Sequence, residues 1–226
     1  MIRQKNILFN KYLSAQECAK IIADKSSRLW ERRIEDDDFL KIRVGLGDIP
    51  IEADIEYPNK EFSMEDDNLV ELIKIVAKKS KVIKNAPISV SLTSKNISAV
   101  IVKENERIME KFEQNLIMQL IALHSYSDLK IVFLLGKDGN IKWEYMKTLP
   151  HVWDEQKQIR FWADDYEDMK DISRYLEMEL NNRRKYEDKF DYRSFAPYYL
   201  IITDDYKTIE NLKIVTEILN AKRNLG

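Results

Sequence analysis

Apolar residues along the chain keep two rhythms, every third or fourth position and every second position, and the two alternate. From Lys5 to Lys25 the residues Ile7, Tyr12, Leu13, Ala19 and Ile22 form a loose helical stripe, which predicts a short connector helix. Leu40, Ile42, Val44 and Leu46 then alternate with Lys41, Arg43 and Gly45. Ile51, Ala53, Ile55 and Tyr57 alternate with Glu52, Asp54 and Glu56. Period-two runs on either side of Gly47-Asp48 predict an antiparallel β-hairpin with one wet face, ended by Pro58 and Asn59. Its sharpest consequence is that Ile51, Ile55 and Tyr57 face inward. Met64 to Lys79 returns to helical spacing through Leu69, Ile73, Val76 and Ala77, with acids at its start, where the helix dipole favours them. Ala86-Pro87 interrupts the chain before Ile88, Val90 and Leu92, a further alternating strand.

Asn96 to Leu135 has the form of a strand–helix–strand crossover, and the rest of the chain is organised around it. Ile97 to Val102 and Lys130 to Leu135 are the continuous apolar runs of strands buried on both faces of a parallel sheet. Between them Ile108, Phe112, Leu116, Gln119, Leu120 and Leu123 recur at helical spacing. A turn at Gly136 to Gly139 and an irregular aromatic segment, Trp143 to Val152, follow. The pattern then predicts a strand over Gln158 to Ala163 and a helix over Asp168 to Arg184 carrying Met169, Ile172, Leu176 and Leu180. Tyr198 to Thr203 reads as the most buried strand, and a last helix over Thr208 to Lys222 carries Ile209, Leu212, Val215 and Leu219. This alternation predicts an α/β fold: a mainly parallel sheet flanked by helices, with an antiparallel hairpin near the N-terminus. Residues 1–27 read as an N-terminal helical connector and residues 28–226 as one α/β domain.

Composition changes this picture little. At 44% hydrophobic content a sizeable core is expected, and no apolar run reaches the roughly 20 residues that span a bilayer. Lysine and arginine number 37 against 39 acidic residues, so the net charge of −2 supplies no counterion-release drive toward nucleic acid, and no nucleic-acid partner is expected. Cys18 is the single cysteine; no intrachain disulfide can form, as suits a reducing compartment. His124 and His151 lack partners at metal-ligand spacing and read as structural histidines. No catalytic residue and no metal site is predicted.

Three stretches carry candidate chemistry or contacts. The run YYLIITDD delivers Asp204 and Asp205 to the end of a buried strand, the arrangement that orients magnesium and water in phosphate-loop ATPases. The bland alternative, aspartates capping the next helix, is the default. The turn expected after Ile97–Val102 is Lys103-Glu104-Asn105-Glu106. No glycine lies between Gly47 and Gly136, so this turn lacks the glycines that let backbone wrap a phosphate. Lys103 is the one cation there; with Asp204 and Asp205 it makes a candidate degenerate nucleotide site, against a salt-bridged surface lysine. The charged segment Arg28 to Asp38 offers Trp30, Arg32 and Arg33 as candidate partner contacts, since aromatics and arginines anchor interfaces. Local pairing of both arginines with Glu35 to Asp38, and a core role for Trp30, are the competing readings.

LWERRIEDDDFLKIRVGLG (Leu29–Gly47), MQLIALHSYSDLKIVFL (Met118–Leu134), WEYMKTLPHVW (Trp143–Trp153) and YYLIITDD (Tyr198–Asp205) together resemble the EssC/EccC ATPases, the FtsK/SpoIIIE-type membrane proteins of bacterial type VII secretion. The resemblance spans nearly the whole chain, in the family's order. It implies the domain that follows the transmembrane helices: RecA-like, similar in fold to the phosphate-loop motor domains beyond it, but degenerate at the phosphate loop and here C-terminally truncated. The role implied is a non-catalytic structural or coupling one in assembly and protein export, without a cofactor. The alternative is an ATP- and magnesium-binding domain with a non-standard phosphate loop; docking of secreted substrates or accessory subunits is a third. The partners implied are other type VII secretion subunits and the parent's motor domains, in an oligomeric assembly. Its place would be the cytoplasmic face of the bacterial cell membrane, this part itself soluble and held there only through the parent's transmembrane helices.

Overall fold

The computed structural model describes residues 2–50, 72, 75, 82–103, 106–136 and 143–226. They fall into two units, residues 1–13 with 43–90 and residues 14–42 with 91–226. The helical stripe near the N-terminus is two helices, α1 (Ile2–Lys11) and α2 (Ala15–Ala23). The break is chemical. Ser14 and Glu17 form a capping box in which the Ser14 side chain accepts the Glu17 N–H and the Glu17 carboxylate accepts the Ser14 N–H at 2.7 Å.

In the first unit, β1 (Lys41–Pro50) pairs antiparallel with β2 (Val82–Ser91). The hairpin turn expected at Gly47-Asp48 is absent, because β1 runs straight through it. Gly47 serves a close approach instead: a Cβ there would lie 2.4 Å from Ile88 Cδ1. Nor does Ala86-Pro87 interrupt β2, since among the described residues β2 pairs with β1 alone, and a residue without an N–H is tolerated where the N–H would point away from that partner. Asp48 Oδ1 accepts the Asn85 N–H at 3.1 Å, and Asn85 has φ of 53°. α1 docks through Lys5 Nζ, which donates to Lys84 O at 3.0 Å, and through Phe9, whose ring lies 5.4 Å beneath the Arg43 guanidinium. The strand expected beyond Pro50, with Ile51, Ile55 and Tyr57 inward, lies outside the described residues. So does the helix expected over Met64–Lys79, apart from Leu72 and Ile75.

The second unit is built on a parallel sheet in the order β4-β3-β5, with β3 spanning Leu129–Leu134, β4 Trp162–Ala163 and β5 Tyr198–Ile202. Every residue of β3 is buried, which explains its unbroken apolar run. Leu129, Ile131 and Phe133 enter one core with Phe39, Leu40 and with Ile117 and Leu120 of α3 (Glu106–Leu123). Val132 and Leu134 enter the other with Met169, Ile172 and Leu176 of α4 (Tyr166–Arg184) and with Ile214 and Val215. Asp165 caps α4 by accepting the Glu167 and Asp168 N–H groups, both at 3.0 Å, which starts it two residues before the apolar stripe implied.

Three expectations are corrected here. Ile97 to Val102 forms no strand, and Ile101 is 88% exposed: an apolar run becomes a strand only with a neighbour to bond to. Among the described residues β5 lies at the edge of the sheet with only Tyr198 buried, so the most buried strand is β3. The last helix is broken into α5 (Tyr206–Ile209) and α6 (Lys213–Leu219), where Leu212 turns in toward the core at an extended backbone angle.

Arg183 locks the end of this unit. Its buried guanidinium donates to Leu225 O, Gly226 O and Pro197 O, and it lies 5.1 Å from the centre of the Tyr199 ring. Arg183→Met is expected to strand these carbonyls and lower stability by about 2 kcal/mol, read as a lower urea midpoint at unchanged slope. An unchanged midpoint would show that the guanidinium is dispensable.

Candidate functional site

β3 and β5 end side by side, and Asp204 links the two ends. Its Oδ1 accepts the Gly136 N–H at 2.8 Å. Asp205 caps α5: Oδ1 accepts the Lys207 N–H at 3.0 Å and Oδ2 accepts the Thr208 hydroxyl at 3.2 Å. Both carboxylates are therefore engaged by donors of their own fold. Lys103 is exposed on the segment leading into α3, and among the described residues no hydrogen bond or ion pair joins it to either aspartate. Residues 97–102, which lead toward α3, form no strand here. Gly136 does follow one, beside the acidic strand end. The signal pointing there is Gly136-Lys137-Asp138-Gly139, directly after the central strand; its last three residues lie outside the described ones.

Trp30, Arg32 and Arg33 lie along the C-terminal end of α3 and have different fates. Trp30, with φ of 59°, donates its backbone N–H to Ala122 O at 2.9 Å and its indole N–H to Ile121 O at 3.1 Å. These bonds satisfy carbonyls at the end of α3. Its ring meets Tyr126 edge-on at 5.4 Å and remains 38% exposed. Arg32 is 3% exposed. Its N–H donates to Leu123 O at 2.9 Å, its guanidinium donates to Lys41 O, and Nε lies 3.7 Å from Asp38 Oδ2. Arg33 is exposed, with its N–H donating to Asp36 Oδ2 at 2.7 Å. Trp30 and Arg33 are thus open to a partner, while Arg32 faces inward. Trp30→Ala is expected to lower the melting temperature by a few degrees, since it loses an indole hydrogen bond and an aromatic contact worth about 1 kcal/mol each. An unaltered melting temperature would make Trp30 purely a surface group.

Two buried histidines hold this region together. His124 Nε2 accepts the Leu40 N–H at 3.1 Å and its Nδ1–H donates to Leu120 O at 3.1 Å, so a neutral ring satisfies both. His151 Nε2–H donates to His124 O at 3.0 Å, and His151 Nδ1 is buried without a hydrogen-bond partner. Burial pushes His124 down to about 3, with Arg32 adding to the effect and the Leu120 hydrogen bond opposing it. Burial likewise pushes His151 down to about 4. The structural reading of both histidines is the one the geometry supports. Cys18 is buried in α2, and burial raises its thiol to about 11, which makes it a poor nucleophile.

Among the described residues no group of three or more His, Cys, Asp or Glu could hold a metal ion. Among them, too, no helix is long and apolar enough to cross a membrane. No family model matches the chain. It is 25% identical over 236 aligned positions to the ESX secretion system protein EccC of Geobacillus thermodenitrificans, covering 99% of this chain and 15% of that protein. It is 26% identical, with the same coverage of 99% and 15%, to the ESX secretion system protein YukB of Bacillus subtilis. Against the type VII secretion system protein EssC of Staphylococcus aureus it is 26% identical over 149 positions, covering 66% of this chain and 10% of that protein. The chain thus spans about 15% of the length of the first two relatives.

Proposed function

Because the chain belongs to the EssC/EccC family of type VII secretion proteins, we propose that it serves its parent as a non-catalytic structural and coupling domain, supporting assembly and protein export. The observation that carries this reading is the occupancy of the two aspartates. Asp204 is spent on the Gly136 N–H and Asp205 on the cap of α5. A carboxylate that joins two strand ends through such a hydrogen bond has a structural part that needs no metal. Its partners on this reading are other secretion subunits and the motor domains of the parent, at the cytoplasmic face of the cell membrane. The exposed Trp30 and Arg33 are the contacts proposed.

In the full-length protein, removal of this domain is expected to abolish secretion, whereas Asp204→Ala with Asp205→Ala leaves it largely intact. Loss of the α5 cap should cost about 1 kcal/mol, so folding is checked alongside. Secretion lost in the folded, assembled double variant would contradict the structural reading. One observation favours a second reading, degenerate ATP and magnesium binding. Gly136 and Asp204 meet where two parallel strands end, the position at which open α/β sheets bind ligands. Among the described residues Lys103 has no contact that would give it a part in such a site.

A further inference from the structure

Among the described residues no strand pairs with the outer edge of β5, and the chain carries a segment suited to fill that position. In a parallel ladder, alternate residues turn both N–H and C=O toward one neighbour. Tyr198 donates its N–H to Asp128 O at 2.8 Å on the β3 side, so Tyr199 and Ile201 turn their backbone groups away from β3. Among the described residues these outward groups have no partner. The same two residues line a cavity of about 90 Å³, together with Ile214 and Ile218 of α6 and Asn96.

Asn96 ties the chain to this place. Its Nδ2 donates to Ile218 O at 3.4 Å and Ala221 O at 3.2 Å, while Asn224 Nδ2 donates to Thr93 O at 3.2 Å and to the Tyr198 hydroxyl at 2.9 Å. Residues 93–96 are therefore anchored near the start of β5. The next six residues, Ile97-Ser98-Ala99-Val100-Ile101-Val102, are mostly β-branched, and among the described residues they make no hydrogen bond. They then enter α3, whose far end leads into the start of β3. Six extended residues reach about 20 Å, enough to run the length of the five-residue β5.

We propose that Ile97–Val102 closes onto the free edge of β5 as a parallel fourth strand, covering the cavity beside Tyr199 and Ile201 and completing a β-α-β unit through α3 to β3. The structure holds this strap in its open position, with Ile97, Val100 and Ile101 exposed. The strap reconciles a strand-like sequence with a strandless segment: local preference and the open sheet edge agree on one arrangement. It does not depend on the role proposed for the parent protein.

Amide hydrogen exchange on the 226-residue chain, followed by NMR, tests the closure. The Tyr199 and Ile201 amides should exchange at least about tenfold more slowly than unprotected amides, and one alternating set of the strap, either Ile97, Ala99 and Ile101 or Ser98, Val100 and Val102, should be protected with them. Ala99→Pro with Val100→Pro puts one proline on a paired N–H whichever set faces β5, and should abolish that protection while the Ile131 and Val132 amides keep theirs. Tyr199 and Ile201 exchanging freely in the unaltered chain would overturn the proposal without recourse to the variant. So would protection that survives both prolines, or protection that grows with concentration alongside a dimer in sedimentation, where a second copy supplies the strand.

Discussion

Acidification from pH 7 to pH 5 is expected to remove about 4 kcal/mol of folding stability, through two buried histidines. In the unfolded chain each takes up a proton near its ordinary value of about 6.5. In the folded chain His124 resists protonation down to about 3 and His151 down to about 4, because burial disfavours the charged ring. Both folded values lie below the unfolded one, so the unfolded state binds more protons between them. The contribution is fully present above about pH 6.5 and is lost as pH falls. Geometry supports the sign: His124 Nε2 already accepts the Leu40 N–H, and a proton there would set two donors against each other. Asp128, its carboxyl raised by burial, acts in the opposite sense. Urea denaturation at successive pH values reads the effect, and His151→Phe should roughly halve the slope. Stability flat from pH 7 to pH 5 would mean that these rings are not buried neutral groups.

Phe133→Ala should cost about 4 kcal/mol, enough to threaten folding of a domain of ordinary stability. Phe133 is fully buried near the C-terminal end of β3, its ring 5.0 Å from that of Trp162 and 5.5 Å from that of Trp143. Two large rings cannot collapse into the space left by a third without moving the strands that carry them, so the cavity persists. The control is Met178→Ala on α4, 66% exposed, which should change stability by less than about 0.5 kcal/mol. Comparable losses in the two variants would place the centre of the core elsewhere than on β3.

The α/β class, the parallel pairing, the long helix α3, the helix α4 and the strand β5 were legible because each buries one face or two against a neighbour, and that burial writes a period into the sequence. What was not legible depends on the neighbour's identity. Gly47 looks like a turn and is a point of close cross-strand approach, because only the position of Ile88 distinguishes the two. Ile97–Val102 reads as a strand for the same reason that β3 does. Nothing in its composition reveals whether a strand edge is bonded to it. The division of labour among Trp30, Arg32 and Arg33 was equally hidden, since alternating outward and inward arginines in a loop leave no periodic trace. The capping box at Ser14-Ala15-Gln16-Glu17 was open to reading, and it marks the break between α1 and α2.

The claim that this domain works through protein contacts rather than through its own nucleotide cycle is tested most directly by titrating the purified chain with fluorescently labelled ATP in the presence of magnesium. The account predicts no saturable signal up to millimolar nucleotide, with the same flat response in Asp204→Ala, because both strand-end carboxylates have structural parts, Asp204 joining the ends of β3 and β5 and Asp205 capping α5. Saturable binding in the micromolar range that disappears in a folded Asp204→Ala chain would contradict it, and would make the Gly136–Asp204 junction a nucleotide site.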